Sequence, residues 1–282
     1  MRYAIQLPIH GRYSDVRVLA ELAYEAEKAG WDGCFVWDHI HLREAEPVTD
    51  PWIVLTVIAI ATERIRLGPL VTPIFRRHPW KVARETVTLD HLSKGRLILG
   101  VGLGSDAFGE LTTFGGLYDD RIRAEMLDEG LAVVAGLWSG QRFSFSGKHY
   151  HVNAALFLPR PFQKPRVPIW VAGTWPRKGP FRRAARYDGV VPVAGDLETS
   201  ITPFQLGEIA DYVRRFRTDD RNFDFVQIGT TNGYYEKEDT EMVSRYALAG
   251  ATWWIESVSP ARSLREVRER ILRGPPKDRL PK

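Results

Sequence analysis

The sequence predicts an α/β protein with the architecture of a (β/α)8 TIM barrel. Short apolar segments alternate with amphipathic segments along the whole chain, which is typical of βα units that build a parallel sheet. Eight such pairs can be recognised, and the chain of 282 residues is close to the ~250 residues that this barrel usually occupies before insertions. A doubly wound sheet is the alternative that the same pattern leaves open.

The first half of the chain contains four predicted strand–helix pairs. Asp15 begins the first helix and Gly30 ends it, while Asp50 with Pro51 behind it begins the second. The predicted elements, in chain order, are strand 3–7, helix 15–29, strand 33–37, helix 50–61, strand 65–71, helix 79–92, strand 96–102 and helix 119–138.

Two insertions interrupt this alternation. A loop rich in glycine and phenylalanine separates the fourth strand from its helix. Between the fourth helix and the fifth strand, "FSFSGKHYHV" alternates in polarity and turns at Ser146-Gly147, which predicts a β-hairpin.

The second half contains the other four pairs. Its predicted elements are strand 167–173, helix 177–187, strand 189–193, helix 203–216, strand 223–230, helix 239–249, strand 251–257 and helix 263–272. Because no linker divides the chain, we predict one domain over residues 1–282. Residues 274–282 are predicted to be an exposed tail, since they are rich in proline and charge.

The composition excludes several classes of function. A net charge of +4 is small, and the basic residues are interleaved with acidic ones, so no nucleic-acid partner is expected. Cys34 is the single cysteine, which excludes an intrachain disulfide and fits a reducing compartment. Without a signal-like start or an apolar run of ~20 residues, we expect a cytoplasmic protein without a membrane partner.

The carboxyl ends of the predicted strands indicate where a site would lie. In such barrels the active site forms at these ends, because the loops there converge on one mouth. The side chains there are mainly glycines, aromatics and hydroxyls, with little charge. They include Gln6, His10, Trp37, Asp38, His39, His41, Thr72, Gly102 to Asp106, Gly173, Thr174, Trp175, Thr230 to Asn232 and Glu256.

The segment "FVWDHIHL", residues 35–42, contains the main candidates for chemistry. The spacing of His39 and His41 suits a metal ion, whereas Asp38 followed by His39 suits acid–base or flavin chemistry. A metal site needs at least three protein ligands, and the fifth and sixth strands end without histidine. We therefore predict no metal site and interpret Asp38 and His39 as the catalytic pair.

The segment "LGVGLGSDA" contains Gly102-x-Gly104, which partly resembles a dinucleotide fingerprint. That fingerprint requires a helix that opens directly on the glycines, but the next predicted helix begins only at about Asp119. We interpret the glycines as allowing a flat ligand to approach the backbone. A tight turn with no ligand is the alternative.

Several long segments together resemble the bacterial luciferase-like flavin-dependent oxidoreductases. They are "RIRLGPLVTPIFRRHPWKVARETVTLDHLSKGRLILGVGLG", "FGELTTFG", "MLDEGLAVVAGLWSGQRFSFSGKHYHV", "PRPFQKPRVPIWVAG" and "RRAARYDGVVPV". The resemblance is dense over residues 3–195 and implies a TIM barrel with insertions. It also implies a flavin-type cofactor, either reduced FMN used with oxygen or the deazaflavin coenzyme F420.

From this resemblance we expect a flavin-dependent oxidoreductase that uses FMN and oxygen to oxygenate a small, partly apolar substrate. One alternative is a coenzyme F420-dependent dehydrogenase or reductase that transfers a hydride. A second alternative is a flavin-binding barrel without catalysis. The resemblance further implies a homodimer formed through the second and third helices and, for the FMN reaction, a separate flavin reductase.

The resemblance also implies roles for individual residues. Asp38 and His39 would face the reactive centre of the flavin, with the His39 ring oriented by Asp38 and exchanging a proton. The segment "GPLVT" would support the flavin ring from behind through a non-prolyl cis bond at Pro69-Leu70. The predicted cofactor contacts are Pro69, Leu70, Val71, Thr72, Gly102, Leu103 and Gly104 at the ring, and the amides of Gly173, Thr174, Gly179 and Phe181 at the phosphate.

The sequence departs from this family pattern at two places. Ser105 stands where the sugar-phosphate dehydrogenases of the family carry glutamate, so we do not predict that activity. The phosphate loop after the fifth strand is about one residue longer than the common pattern.

Overall fold

The computed structural model describes residues 1–42, 46–116, 119–195, 200–219, 221–234 and 236–276. The strands in these ranges are β1 Arg2–Leu7, β2 Gly33–Val36, β3 Arg66–Pro69, β4 Thr72–Pro73, β5 Leu99–Gly102, β6 Arg142–Ser146, β7 His151–Leu156, β8 Ile169–Thr174, β9 Gly189–Val193, β10 Asp224–Gly229 and β11 Trp253–Ser257. The helices are α1 Val16–Lys28, α2 Pro51–Ala61, α3 Pro79–Leu92, α4 Glu110–Thr113, α5 Asp120–Trp138, α6 Lys178–Ala184, α7 Pro203–Arg214, α8 Glu236–Leu248 and α9 Leu264–Leu272.

Nine of the strands form one parallel sheet in the order β3-β2-β1-β11-β10-β9-β8-β5-β4. The two ends of this order meet, because β3 and β4 are halves of one interrupted strand. Leu67 of β3 bridges Leu97 just before β5, and Thr72 of β4 pairs with Val101 of β5. The sheet therefore closes into a barrel with eight strand positions, which confirms the predicted fold.

The helix starts follow from the capping residues that the sequence predicts. The Asp15, Asp50 and Asp119 carboxylates each accept backbone N–H bonds at the first turns of α1, α2 and α5. Two predictions need correction. Helix α6 is shorter than the predicted 177–187, and the insertion after the fourth barrel strand contains the short helix α4.

The lower part of the barrel interior is filled by large aromatic side chains. The Phe35 ring lies 5.2 Å from that of Trp170 and 6.0 Å from that of Trp253, and the two indole rings lie 5.3 Å apart. All three side chains are fully buried, and Leu70 packs against the same cluster. The barrel interior is thus filled at this level, which leaves space for a ligand only toward the carboxyl ends of the strands.

The periphery of the barrel bears on four further predictions. The hairpin is present as antiparallel β6 and β7. Gly274 and Pro275 are buried, so the exposed tail predicted from residue 274 is wrong at its start; residues 277–282 lie outside the described residues. Ile53 and Ile60 are exposed on α2, and dimerisation through that helix stays a prediction.

None of the described helices is long and apolar enough to cross a bilayer.

A buried carboxylate fastens the connection between α2 and β3. Glu27 of α1 accepts N–H bonds from Glu63, Arg64 and Ile65 at 3.0, 2.6 and 2.9 Å. Burial alone would raise the pKa of Glu27, but these amide bonds and the Arg64 charge outweigh it and lower the pKa. The ionised form is therefore favoured in the folded state.

We expect Glu27→Gln to lower the free energy of unfolding by about 2 kcal/mol at pH 7, because a charged acceptor of buried amides is lost. The depressed pKa means that this contribution is present above the usual glutamate pKa of 4.5 and is lost as the pH falls below it. Urea unfolding at pH 7 and at about pH 3.5 measures both. Glu21→Gln on the same helix, where the side chain is 62% exposed, should change stability by less than about 1 kcal/mol; an equal loss in both variants would contradict the assignment.

Candidate active site

A cavity of about 610 Å³ lies at the carboxyl ends of the barrel strands. Its walls bring together most of the residues that the sequence singles out. The predicted residues that line it are Asp38, His39, Leu70, Val71, Gly102, Leu103, Gly104, Gly173, Thr174 and Gly179. Pro69, Thr72 and Phe181 do not line it.

The interruption between β3 and β4 forms one side of this cavity. Its cis peptide bond joins Leu70 to Val71, so the prediction of Pro69-Leu70 is wrong by one residue. The reason is that the strand ladder continues one residue further: Pro69 still pairs with Val36, and the Leu70 amide donates to the Val36 carbonyl at 2.8 Å. The buried Gln6 amide then donates to the Leu70 carbonyl at 3.0 Å and holds the bulge in place.

The catalytic pair is arranged differently from the prediction. Asp38 does not orient His39, because its carboxylate is bonded to other partners. The buried Asp38 carboxylate instead accepts a hydrogen bond from Thr72 Oγ1 at 2.5 Å and forms an ion pair with Arg76. His39 Nδ1 lies 3.3 Å from Glu110 Oε2, so Glu110 orients the imidazole.

Glu110 is the centre of this network. It also accepts the Ile40 amide at 2.5 Å and pairs with Arg76 Nη1 at 3.0 Å. Burial alone would raise its pKa, but the bonds from His39 and Ile40 and the Arg76 charge outweigh that effect and lower the pKa. Burial raises the pKa of the Asp38 carboxyl, against the opposing effect of Arg76.

Sequence reasoning did not single out Arg76 or Glu110. Both lie inside segments on which the family resemblance rests, "IFRRHP" and "FGELTTFG". Their contact cannot be read from the sequence, because they lie 34 residues apart and only the fold brings the 3-10 turn Ile74–Arg76 and α4 together. The motifs could have pointed to Arg76 and Glu110 individually, whereas their contact with each other depends on the fold.

Glycine is present in the cavity wall for a different reason at each position. A Cβ on Gly102 would lie 2.7 Å from Val71 Cγ2, and Gly104 has a φ of +68°, so packing and a turn already require glycine there. The alternative interpretation, a tight turn with no ligand, therefore also explains these two glycines. A Cβ on Gly179 would meet nothing within 4 Å, so the space beside it is open to a ligand.

Guanidinium groups line the side of the cavity near α5 and α6. Arg123 donates to the Leu103 and Gly104 carbonyls at 3.3 and 3.2 Å and pairs with Asp120, which fixes the glycine turn. The Phe181 side chain lies in the core and packs edge-on against Trp175 at 5.3 Å, while the predicted phosphate contact of its backbone amide stays a prediction.

Aromatic rings surround His39 on its other faces. Its ring lies 4.7 Å from Phe108 and 5.8 Å from Trp37. The second histidine of the motif, His41, packs against Phe114 at 5.5 Å. Within the described ranges, no three His, Cys, Asp or Glu side chains are grouped so that they could hold a metal ion.

Residues 1–270 match the family described as luciferase-like monooxygenase. The chain belongs to this family. The luciferase-like chain is 32% identical over 203 residues to an F420-dependent glucose-6-phosphate dehydrogenase of Nakamurella multipartita, covering 70% of this chain and 58% of the relative. It is 33% identical over 196 residues to the F420-dependent hydroxymycolic acid dehydrogenase of Mycobacterium tuberculosis, covering 67% of this chain and 52% of the relative.

This luciferase-like chain spans about half the length of these curated relatives. Among solved structures, it superimposes on an F420-dependent secondary alcohol dehydrogenase in complex with an F420-acetone adduct. The TM-score is 0.78 at 19% identity, with 96% of each chain covered. This likeness confirms the luciferase-like TIM barrel over the length of the chain.

Proposed function

We propose that the protein is a coenzyme F420-dependent oxidoreductase that dehydrogenates an alcohol by hydride transfer. The observation that carries the proposal is the cavity at the barrel mouth, in which His39 is held by Glu110 beside the bulge at Leu70 and Val71. Curated relatives at 32 and 33% identity are F420-dependent dehydrogenases, which supports this coenzyme over FMN with oxygen.

The residues present fit a flat coenzyme. Leu70 and Val71 offer an apolar support, and the glycine turn at 102–104 keeps Cβ atoms out of the opposite wall. The open space beside Gly179 accommodates a polar extension of the coenzyme next to the backbone after β8. When bound, coenzyme F420 supplies the hydride acceptor for the alcohol carbon.

His39 performs the proton chemistry in this proposal. Glu110 occupies Nδ1, so Nε2 is the ring nitrogen left to accept the hydroxyl proton as the hydride departs. Glu110 fixes the tautomer and orientation of the ring, as a carboxylate does for a catalytic histidine. Trp37 and Phe108 pack against the ring and limit its rotation and its contact with water.

The coenzyme can be tested directly. We expect coenzyme F420 to bind with a dissociation constant in the micromolar range or below, and FMN to bind at least about tenfold more weakly, a difference of about 1.4 kcal/mol. Fluorescence titration of both compounds against the same protein measures this. Tighter binding of FMN, together with oxygen consumption in the presence of reduced FMN, would favour the monooxygenase function instead.

A further inference from the structure

A second pocket of about 280 Å³ adjoins the first. The two share Pro73, Gly104, Ser105 and Glu110 as wall residues. The second pocket is enclosed by the turn after β4, the segment behind His39 and the insertion that contains α4. It therefore begins at the network that holds His39.

Large apolar side chains dominate its described walls. They are Ile40, Phe75, Leu111 and Phe114. Ile40 is 44% exposed and Phe114 is 61% exposed, so both leave apolar surface in contact with water. A ligand with an apolar surface would cover both and remove them from water.

The charges of this pocket disfavour an anionic ligand. Among the described wall residues, only Arg76 and Glu110 are charged, and they pair with each other at 3.0 Å. Arg76 is further matched by the Asp38 carboxylate. A phosphate group bound here would be repelled by the Asp38 and Glu110 carboxylates, which already pair with Arg76. Like charges at short range repel strongly where water is excluded.

We propose that this second pocket binds an aliphatic chain of the substrate, so that the protein oxidises medium-chain secondary alcohols rather than sugar phosphates. The inference rests on the proposed function and specifies its substrate class. At ~30 Å³ for a group the size of water, the pocket has room for about nine such groups. The carbinol carbon would lie at His39, and the chain would extend past Ser105 toward Phe114.

The oxidation balances without a further reactant. The alcohol C–H bond breaks and its hydride passes to oxidised coenzyme F420, while the O–H proton passes to His39 Nε2 and the C–O bond becomes a carbonyl. The products are a ketone, the reduced coenzyme and, through His39, one proton released to solvent or to the coenzyme.

Turnover of 2-alkanols from 2-propanol to 2-decanol with coenzyme F420 tests the pocket. Each methylene buried should raise kcat/KM about fourfold, because burial of one CH₂ stabilises the complex by about 0.8 kcal/mol. We expect the rise to continue to about 2-octanol and then to level off, with glucose 6-phosphate giving no turnover.

Phe114→Ala should reduce the ratio of kcat/KM for 2-octanol to that for 2-propanol by about tenfold or more, since an apolar wall is lost. Phe204→Ala is the matched control, because Phe204 is 76% exposed on α7 and does not line the pocket. Turnover that is independent of chain length, or turnover of glucose 6-phosphate that matches 2-octanol, would overturn the inference.

A coenzyme-free measurement separates this inference from the proposed function. At equal low-millimolar concentrations, 2-octanol should raise the Tm of the wild-type protein more than 2-propanol does, and Phe114→Ala should reduce this difference. A chain-length effect on Tm without turnover with coenzyme F420 would support the pocket and reject the dehydrogenase. Turnover with no such effect on Tm or kcat/KM would reject the pocket and keep the dehydrogenase.

Discussion

Replacement of His39 by alanine should lower kcat by about 100-fold or more while leaving coenzyme binding nearly unchanged. The imidazole lines the cavity, and general acid–base catalysis contributes roughly 100- to 10,000-fold. The ring packs against Phe108 and Trp37 at the rim of the site, so its loss should disturb the fold little. Steady-state turnover and coenzyme titration on the same preparation measure both effects.

His41→Ala is the matched control for this experiment. His41 lies two residues further along the same segment and packs against Phe114 outside the proton-transfer network. We expect its replacement to lower kcat by less than about fivefold, because no proton transfer depends on it. Equal losses in the two variants, or normal kcat in His39→Ala, would reject the role of His39.

Replacement of Arg76 by methionine should cost about 3 kcal/mol of folding free energy, the largest stability effect that we expect at the site. Arg76 lies between two buried carboxylates, Asp38 and Glu110, and its removal leaves both without their cation. Breaking a buried ion pair by removing one partner typically costs 3–5 kcal/mol, which exceeds the typical contribution of an exposed pair. Chemical denaturation gives the change in free energy of unfolding.

Arg77→Met provides the comparison, because Arg77 is next in the sequence and has similar exposure. Its carboxylate partners Asp50 and Glu85 lie 3.7 and 3.6 Å away, too far for strong charge-assisted hydrogen bonds. We expect a loss of about 1 kcal/mol or less. If Arg77→Met destabilises the protein as much as Arg76→Met, the loss of stability in Arg76→Met does not come from its buried carboxylate partners.

The barrel could be predicted from the sequence because its signals are local. The caps at Asp15 and Asp50 and the glycine after α1 fix helix ends within a few residues, and the alternation of strand and helix implies a closed parallel sheet. The position of His39 at the mouth follows from the strand that precedes it. These inferences need no knowledge of which residues meet across the barrel.

The partner of His39 could not be predicted in the same way. Asp38 is adjacent in sequence, which made it the natural candidate, yet its carboxylate bonds to Thr72 and Arg76 instead. Glu110 reaches the imidazole from an insertion 71 residues further along the chain. The position of the cis bond likewise depends on how far the ladder between β2 and β3 continues, which is a property of strand pairing rather than of sequence.

The aromatic cluster of Phe35, Trp170 and Trp253 fills the barrel interior beneath Leu70, so the cavity opens toward the carboxyl ends of the strands. Whatever rests against Leu70 lies deepest, since this side chain packs directly on that cluster. A molecule bound nearer the rim then blocks the exit of the one below it. Under the proposed function, the shape of the cavity would therefore impose the order in which coenzyme and alcohol enter and leave.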